Sequence, residues 1–144
     1  MNFQRKIKAV PIQAFGIVAL LFIFGAFGCN GISTKGAPVT CEAKTAQIIV
    51  FDGGMKRVCG CTEGSGTFTQ SGTFVCTVSF NSAVYFDFSS IGGTHVVSIN
   101  NIGTTQQMSS SSSIKTSALM MNQIGTFSFV DSFDGFSGTF IVNP

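Results

Sequence analysis

The chain has 144 residues, of which 10% are charged, and its formal net charge is +2. This length favours a single folded domain, and the low charge content with a positive mean hydropathy argues against intrinsic disorder. From Cys29 onward the chain has five basic and six acidic side chains, so its positive charge is concentrated at the N-terminus. Nucleic-acid binding, which needs a basic surface, is therefore excluded.

The N-terminus has the features of an export signal. Arg5, Lys6 and Lys8 precede residues 14–28, which contain no charged or strongly polar side chain. This apolar run is shorter than the roughly 20 residues that a helix needs to cross a bilayer. A basic start, a short apolar run and small residues before a break are typical of a signal helix. We predict that residues 1–28 are a signal peptide.

Cys29 follows the apolar run directly, and Ala26-Phe27-Gly28-Cys29 resembles a bacterial lipobox. In such a motif the cysteine carries lipid and becomes the mature N-terminus. An Ala-x-Gly site also suits ordinary signal peptidase, but the number of cysteines favours lipidation. If Cys29 is acylated, four cysteines remain, an even number that closes two disulfides in an oxidising compartment.

Lipidation at Cys29 predicts where the protein resides. Two or more acyl chains give stable membrane anchoring. Asn30 follows the cysteine in place of the Asp that often retains such lipoproteins at the inner membrane. We therefore expect an exported lipoprotein on the periplasmic or cell-surface side, at the outer membrane rather than the inner. Its expected partners are the membrane, through the lipid, and an unidentified envelope protein or ligand.

The remainder of the chain divides into a tether and a β-domain. Residues 29–40 are rich in Gly, Ser, Thr and Pro without an apolar period, which predicts a flexible tether. Residues 41–144 contain short runs in which β-branched and aromatic side chains alternate with polar ones, the signature of strands. The predicted strands are residues 46–51, 56–61, 73–80, 83–88, 95–100, 116–121, 125–130 and 138–143. Such a series of short strands predicts a sandwich or barrel.

Four cysteines lie in the first half of the predicted β-domain: Cys41, Cys59, Cys61 and Cys76. Cys59 and Cys61 would form a strained small ring with each other, so we expect each to pair with Cys41 or Cys76. The sequence leaves the connectivity open. If both thiols stay reduced, Cys59 and Cys61 instead form a candidate Cu(I) site.

The second half of the chain resembles a cupredoxin, the Greek-key β-sandwich of seven to eight strands found in plastocyanin and azurin. Residues 77–88 read as strand, turn and strand, and a loop then leads to His95-Val96-Val97. The end of the chain has the similar closing pattern of Gly125-Thr126-Phe127, a loop, then Gly138 and an apolar last strand. The resemblance covers about half of the chain and implies this fold for residues 41–144.

The resemblance also implies a site, because blue-copper cupredoxins bind the metal through two His, one Cys thiolate and a weak axial Met. His95 stands at the first His position, but Asp131 replaces the Cys, Asp134 replaces the second His, and Phe136 lies near the Met position. Without the thiolate there is no blue-copper centre. One imidazole and two carboxylates are nevertheless ligands that Cu²⁺ or Zn²⁺ accepts.

These features predict a lipid-anchored, cupredoxin-like binding or structural module of the cell envelope, without a cofactor and with a degenerate copper site. The alternative is a copper-binding or electron-transfer protein that uses His95 with Asp131 and Asp134, or Cu(I) at Cys59 and Cys61. Zinc is the other metal that the first set of ligands could hold. No catalytic residues are predicted, because the sequence contains no recognisable set of acid, base and nucleophile.

Overall fold

A computed structural model describes residues 39–144, and every regular element in this part of the chain is a β-strand. In chain order the strands are β1 (Thr45–Phe51), β2 (Gly54–Cys59), β3 (Gly66–Phe68), β4 (Phe74–Ser79), β5 (Ser82–Ser90), β6 (Thr94–His95), β7 (Val97–Ile99), β8 (Gly103–Thr104), β9 (Met108–Ser109), β10 (Thr116–Met121), β11 (Gly125–Asp131) and β12 (Ser137–Asn143). Among these residues there is no helix that could cross a membrane.

The strands form two five-stranded sheets and one small two-stranded sheet. The first sheet has the order β10-β5-β1-β2-β3, the second has the order β4-β12-β11-β7-β8, and β6 pairs with β9. The chain crosses repeatedly between the two large sheets, so strands distant in sequence become neighbours, as Greek-key connections require.

Each large sheet contains one parallel pair among antiparallel ones. In the first sheet β1 runs parallel to β5, with Ala46 opposite Val84. In the second sheet β12 runs parallel to β4, with Phe140 opposite Cys76. These two pairs join segments that are far apart in sequence, so each sheet closes only through long-range contacts.

The core lies between the two sheets because buried and exposed side chains alternate along the long strands. In β12, for example, Gly138, Phe140 and Val142 are buried, whereas their neighbours are partly exposed. The Phe74 ring occupies the centre of an aromatic cluster, with centroid distances of 5.3–6.4 Å to four other rings. Those rings belong to Phe68, Phe129, Phe136 and Phe140. Burial of these apolar side chains is the main source of stability for the fold.

Two disulfides lie in the first half of the domain. Cys41 is bonded to Cys59 at the end of β2, and Cys61 is bonded to Cys76 in β4. Their Cα–Cα distances are 5.5 and 5.0 Å, within the usual range for disulfides. Disulfide formation is therefore confirmed, and the connectivity that the sequence left open is Cys41–Cys59 and Cys61–Cys76.

The prediction of an all-β sandwich is confirmed, with differences in the number of strands. Seven of the strands between residues 39 and 144 have six or more residues, and each overlaps a predicted one. The predicted strand over residues 95–100 is divided at Val96, because β6 pairs with β9 whereas β7 joins the second sheet. The signal helix and most of the tether lie outside the described residues, so the boundaries at residues 28 and 40 stay predictions.

Candidate functional site

The candidate site lies where a turn and two strands meet at one end of the sandwich. The turn between β1 and β2 contributes Asp52, β6 contributes His95, and the end of β11 contributes Asp131. The His95 and Asp131 side chains are buried, with exposed fractions of 0% and 1%, whereas Asp52 is 46% exposed. One face of Asp52 therefore contacts water and the other contacts the buried ring.

Both nitrogens of the His95 ring are held by carboxylates. Nδ1 lies 2.6 Å from Asp131 Oδ2, and Nε2 lies 2.9 Å from Asp52 Oδ1. An ionised carboxylate only accepts hydrogen bonds, so each ring nitrogen must donate its proton to one. The arrangement therefore holds His95 as an imidazolium between two carboxylates.

Backbone amides fix both carboxylates in place. The N–H of Gly92 donates to Asp52 Oδ1 over 2.8 Å, and the N–H of Phe133 donates to Asp131 Oδ1 over 3.1 Å. Asp131 also begins a turn, since its carbonyl accepts from the N–H of Gly135 over 3.0 Å. An aspartate is favoured here because its side chain can bond to backbone two residues ahead.

Asp134 lies at the same end of the sandwich but is engaged elsewhere. Its Oδ2 accepts from the N–H of Gly53, and its Oδ1 accepts from the N–H of Phe136 over 2.8 Å. Among the described residues no hydrogen bond connects Asp134 to His95 or to Asp131. Asp134 thus ties the turn between β1 and β2 to the turn between β11 and β12, and contributes no contact to the imidazole.

The Phe133 ring covers the buried imidazole. The two ring centroids are 4.5 Å apart, with an angle of 37° between the planes. A Cβ atom added at Gly93 would lie only 2.0 Å from the Phe133 ring, so the ring needs a residue without a side chain there. Phe133, itself 48% exposed, separates His95 from water on this side.

The surroundings shift the pKa values of two of these groups. Burial alone would lower the pKa of His95, but the hydrogen bonds that its ring donates to Asp131 and Asp52 outweigh burial and raise the pKa above the ordinary value. The hydrogen bond from the N–H of Gly92, followed by that from His95, lowers the pKa of the Asp52 carboxyl. Both directions favour the same state, a charged His95 ring beside an ionised Asp52 carboxylate.

These contacts do not fit a copper centre. A His ligand binds metal through the lone pair of a neutral ring nitrogen, and here both nitrogens point at carboxylates. Within residues 39–144 no group of three or more His, Cys, Asp and Glu side chains is arranged to hold a metal ion. The thiols of Cys59 and Cys61, the alternative Cu(I) ligands, are both in disulfides.

The structure thus brings together two of the three residues of the candidate metal site and adds one that the sequence analysis missed. The sequence did not single out Asp52, because it precedes Gly53 in a hairpin turn. Asp-Gly is favoured in such turns for its backbone conformation alone, without any functional role. Cys29, the predicted site of lipidation, lies outside the described residues.

No family model matches the chain, and no curated protein matches it. Among solved structures, the chain is similar to a crystal structure of Fet3p, described as a multicopper oxidase that functions in iron import. The identity is 13% over 74% of this chain and 23% of that one, with a TM-score of 0.43. It is also similar to a Cu-containing nitrite reductase from Thermus scotoductus SA-01, with 16% identity over 69% of this chain and 27% of that one, and a TM-score of 0.37.

The chain therefore spans about a quarter of the length of each of these two structures. At such identities and TM-scores, neither likeness carries an argument about what the chain binds or does.

Proposed function

We propose that this chain is an exported lipoprotein, anchored through Cys29, whose cupredoxin-like sandwich serves as a binding or structural module of the cell envelope. The N-terminal sequence supports the anchor, and the pattern of residues around His95 and the closing strands supports the kinship with cupredoxins. The two disulfides suit an oxidising compartment. The module has no catalytic residues and holds no copper.

The observation that carries the proposal is the pairing of both His95 nitrogens with carboxylates. Asp131 stands at the sequence position of the copper thiolate and makes the shorter of the two hydrogen bonds. Metal binding would require His95 to lose a proton and one of its two hydrogen bonds. The network therefore serves to hold together the three segments that meet at this end of the sandwich.

A copper titration tests this role. The full chain, purified anaerobically in detergent, is titrated with Cu(II) and separately with Cu(I), and binding is followed by competition with a chelator. We expect no stoichiometric site for either ion, in the native chain or in Asp52→Asn, which removes one of the two carboxylates beside the imidazole. Submicromolar binding that His95→Gln abolishes would contradict the proposal and establish the copper-binding alternative.

The anchor is tested separately. Cells that express the full chain are labelled with palmitate, and incorporation is compared between the native chain and Cys29→Ser. We expect label in the native chain and none in the variant, since the thiol is the site of acylation. A neighbouring variant, Asn30→Ser, should keep its label. Equal labelling of native chain and Cys29→Ser would disprove lipidation at this cysteine.

A further inference from the structure

Exposed edge strands of β-sheets carry unpaired backbone groups and tend to pair with other chains unless they are protected. The edge strands of the two large sheets are β3 and β10 in the first, and β4 and β8 in the second. β3 and β8 have three and two residues, too few to template a further strand. β4 and β10 have six residues each, so these two edges are long enough to pair with another strand unless they are protected.

The free edge of β4 is covered by the chain that follows β2. The Arg57 guanidinium donates to the carbonyl of Val75. Glu63 Oε2 accepts from the N–H of Thr77 over 2.9 Å, and the N–H of Thr62 donates to the carbonyl of Thr77 over 2.9 Å. The disulfide between Cys61 and Cys76 fastens this segment to the strand. β4 therefore offers no open edge.

The free edge of β10 has no such cover among residues 39–144. The N–H of Phe88 in β5 donates to the carbonyl of Lys115, and the register continues from there with Ser117 opposite Phe86. Odd-numbered residues of β10 therefore point their backbone groups at β5, and even-numbered ones point away from the sheet. Those even-numbered residues are Thr116, Ala118 and Met120.

The outward backbone groups of these three residues are almost all unpaired within the described chain. The carbonyl of Met120 accepts from the N–H of Asn122 over 3.0 Å. No other hydrogen bond from residues 39–144 reaches the N–H or carbonyl of Thr116 or Ala118, or the N–H of Met120. The three side chains are also exposed, Met120 by 51%. The edge is thus open to a further strand.

β10 also lacks the usual features that block such pairing. The strand contains no charged residue and no proline, and its register with β5 is continuous over all six residues without a bulge. The flanking charge, Lys115, is engaged, since its Nζ donates to the carbonyls of Ser109 and Ser110 over 2.9 and 2.7 Å. Nothing in the strand repels a copy of itself.

We propose that β10 pairs with the β10 of a second copy of this chain, in an antiparallel arrangement about a twofold axis at Ala118. Ala118 then lies opposite its counterpart, and Thr116 lies opposite Met120 of the partner. All three residues point their backbone groups outward, so this register gives each strand hydrogen-bonded pairs along its length. The first sheets of the two copies become one continuous sheet, and no like charges meet at the seam.

A second copy is the favoured occupant because the edge is complementary to itself. Twofold pairing requires outward backbone groups at matching positions on both sides of the axis, and it is favoured by a short side chain at the axis and by the absence of like charges that would face each other. Ala118, the even-numbered residues and the uncharged strand meet these three conditions.

Cysteine cross-linking in the membranes of cells that express the full chain tests the proposal. In a hydrogen-bonded antiparallel pair the facing Cα atoms are about 5.5 Å apart, a distance that a disulfide bridges. We expect mild oxidation of Ala118→Cys to give a dimer of twice the mass on a non-reducing gel. Thr126→Cys, exposed on β11 of the second sheet, is the matched control and should remain monomeric.

Sedimentation of the full chain in detergent provides the second measurement. The native chain should sediment as a dimer, and Ala118→Lys should halve the protein mass because it sets two ammonium groups face to face. Thr126→Lys should leave the dimer unchanged. The proposal is overturned if the native chain is monomeric at tens of micromolar, or if Ala118→Cys gives no more cross-linked dimer than Thr126→Cys. A cross-link from Ala118→Cys to a different protein would also overturn it.

Discussion

At the scale of single residues, the molecule concentrates its buried charge in one place. His95 and Asp131 are almost wholly buried, and each satisfies the other. A buried ion pair adds little net stability compared with a well-packed apolar pair, but removing one partner leaves an uncompensated charge and is strongly destabilising. The network therefore specifies how the turn after β1 meets β6 and the end of β11, and it makes the stability of the fold sensitive to pH.

The stability of the domain should fall as the pH rises above about 6.5. The folded state raises the pKa of His95, so the charged ring stabilises the fold fully below its unfolded pKa and loses that contribution as the pH rises through the folded value. Urea denaturation from about pH 5 to about pH 9 measures this slope. Asp52→Asn, which keeps the ring in place but removes one carboxylate, should show a smaller slope.

The acid side should behave in the opposite way. The folded state lowers the pKa of the Asp52 carboxyl, so its contribution is present above the unfolded value near 3.8 and is lost as the pH falls through the lower, folded value. In Asp52→Asn this part of the acid loss should be absent.

The prediction for His95 has its own contradicting outcome. A denaturation profile that is flat above pH 6.5 in the native chain would show that His95 is uncharged in the folded state.

The sequence could indicate only part of this network. His95 and Asp131 were candidates because they stand at ligand positions of a cupredoxin, so the resemblance to a known site drew attention to them. Asp52 belongs to a turn that precedes His95 by 43 positions, and nothing in its local sequence shows that the turn folds back against β6. Asp134 was a candidate for the same reason, because it stands at the position of the second His, but its carboxylate bonds to backbone instead.

At the scale of elements, strands with a clear alternation were predictable and the shortest strands were not. The predicted strand over residues 116–121 agrees with β10 at both ends. β3, β8 and β9 have two or three residues, too few for a period, and they exist because neighbouring strands offer partners. Met120 and Met121 are adjacent in β10 and lie on opposite faces of the strand, so the first is exposed and the second is buried.

The two disulfides should contribute separately to stability. They close loops with sequence separations of 18 and 15 residues, for which restriction of the unfolded chain predicts about 3 kcal/mol each. We expect Cys41→Ala with Cys59→Ala to lower the free energy of unfolding by about 3 kcal/mol in urea denaturation. Cys61→Ala with Cys76→Ala should cost at least as much, because it also releases the cover from the edge of β4.

Thiol counting provides the control for this prediction. In a Cys29→Ser background, the denatured and unreduced chain should react with no thiol reagent, because all four remaining cysteines are in disulfides. Four reactive thiols in protein purified from an oxidising compartment would contradict the pairing and would restore Cys59 and Cys61 as candidate Cu(I) ligands.

At the scale of the whole molecule, one aromatic ring connects the sheets. Phe74 lies on β4, and its ring meets those of Phe129 and Phe140 in the same sheet and that of Phe68 on β3 of the first sheet. The cluster is a large part of the core, because the domain has no Trp and the Phe74 and Phe140 rings are both fully buried. Loss of the ring would leave a cavity that both sheets border.

Phe74→Ala should therefore destabilise the domain by about 3–5 kcal/mol, as expected for truncating a fully buried aromatic side chain. Tyr85→Ala is the matched control, since Tyr85 lies on the outer face of the first sheet and is 42% exposed. Its cost should be about 0.5 kcal/mol. Equal costs in chemical denaturation would show that the cluster does not carry the stability assigned to it.

The position of β12 in the middle of the second sheet has a consequence for biogenesis. Among the described strands, β4 pairs only with β12, and β12 is the last strand of the domain to be synthesised. Until β12 arrives, β4 has no strand to join and Phe74 has no Phe140 to pack against. The second sheet is therefore completed only after the last strand of this domain has been synthesised.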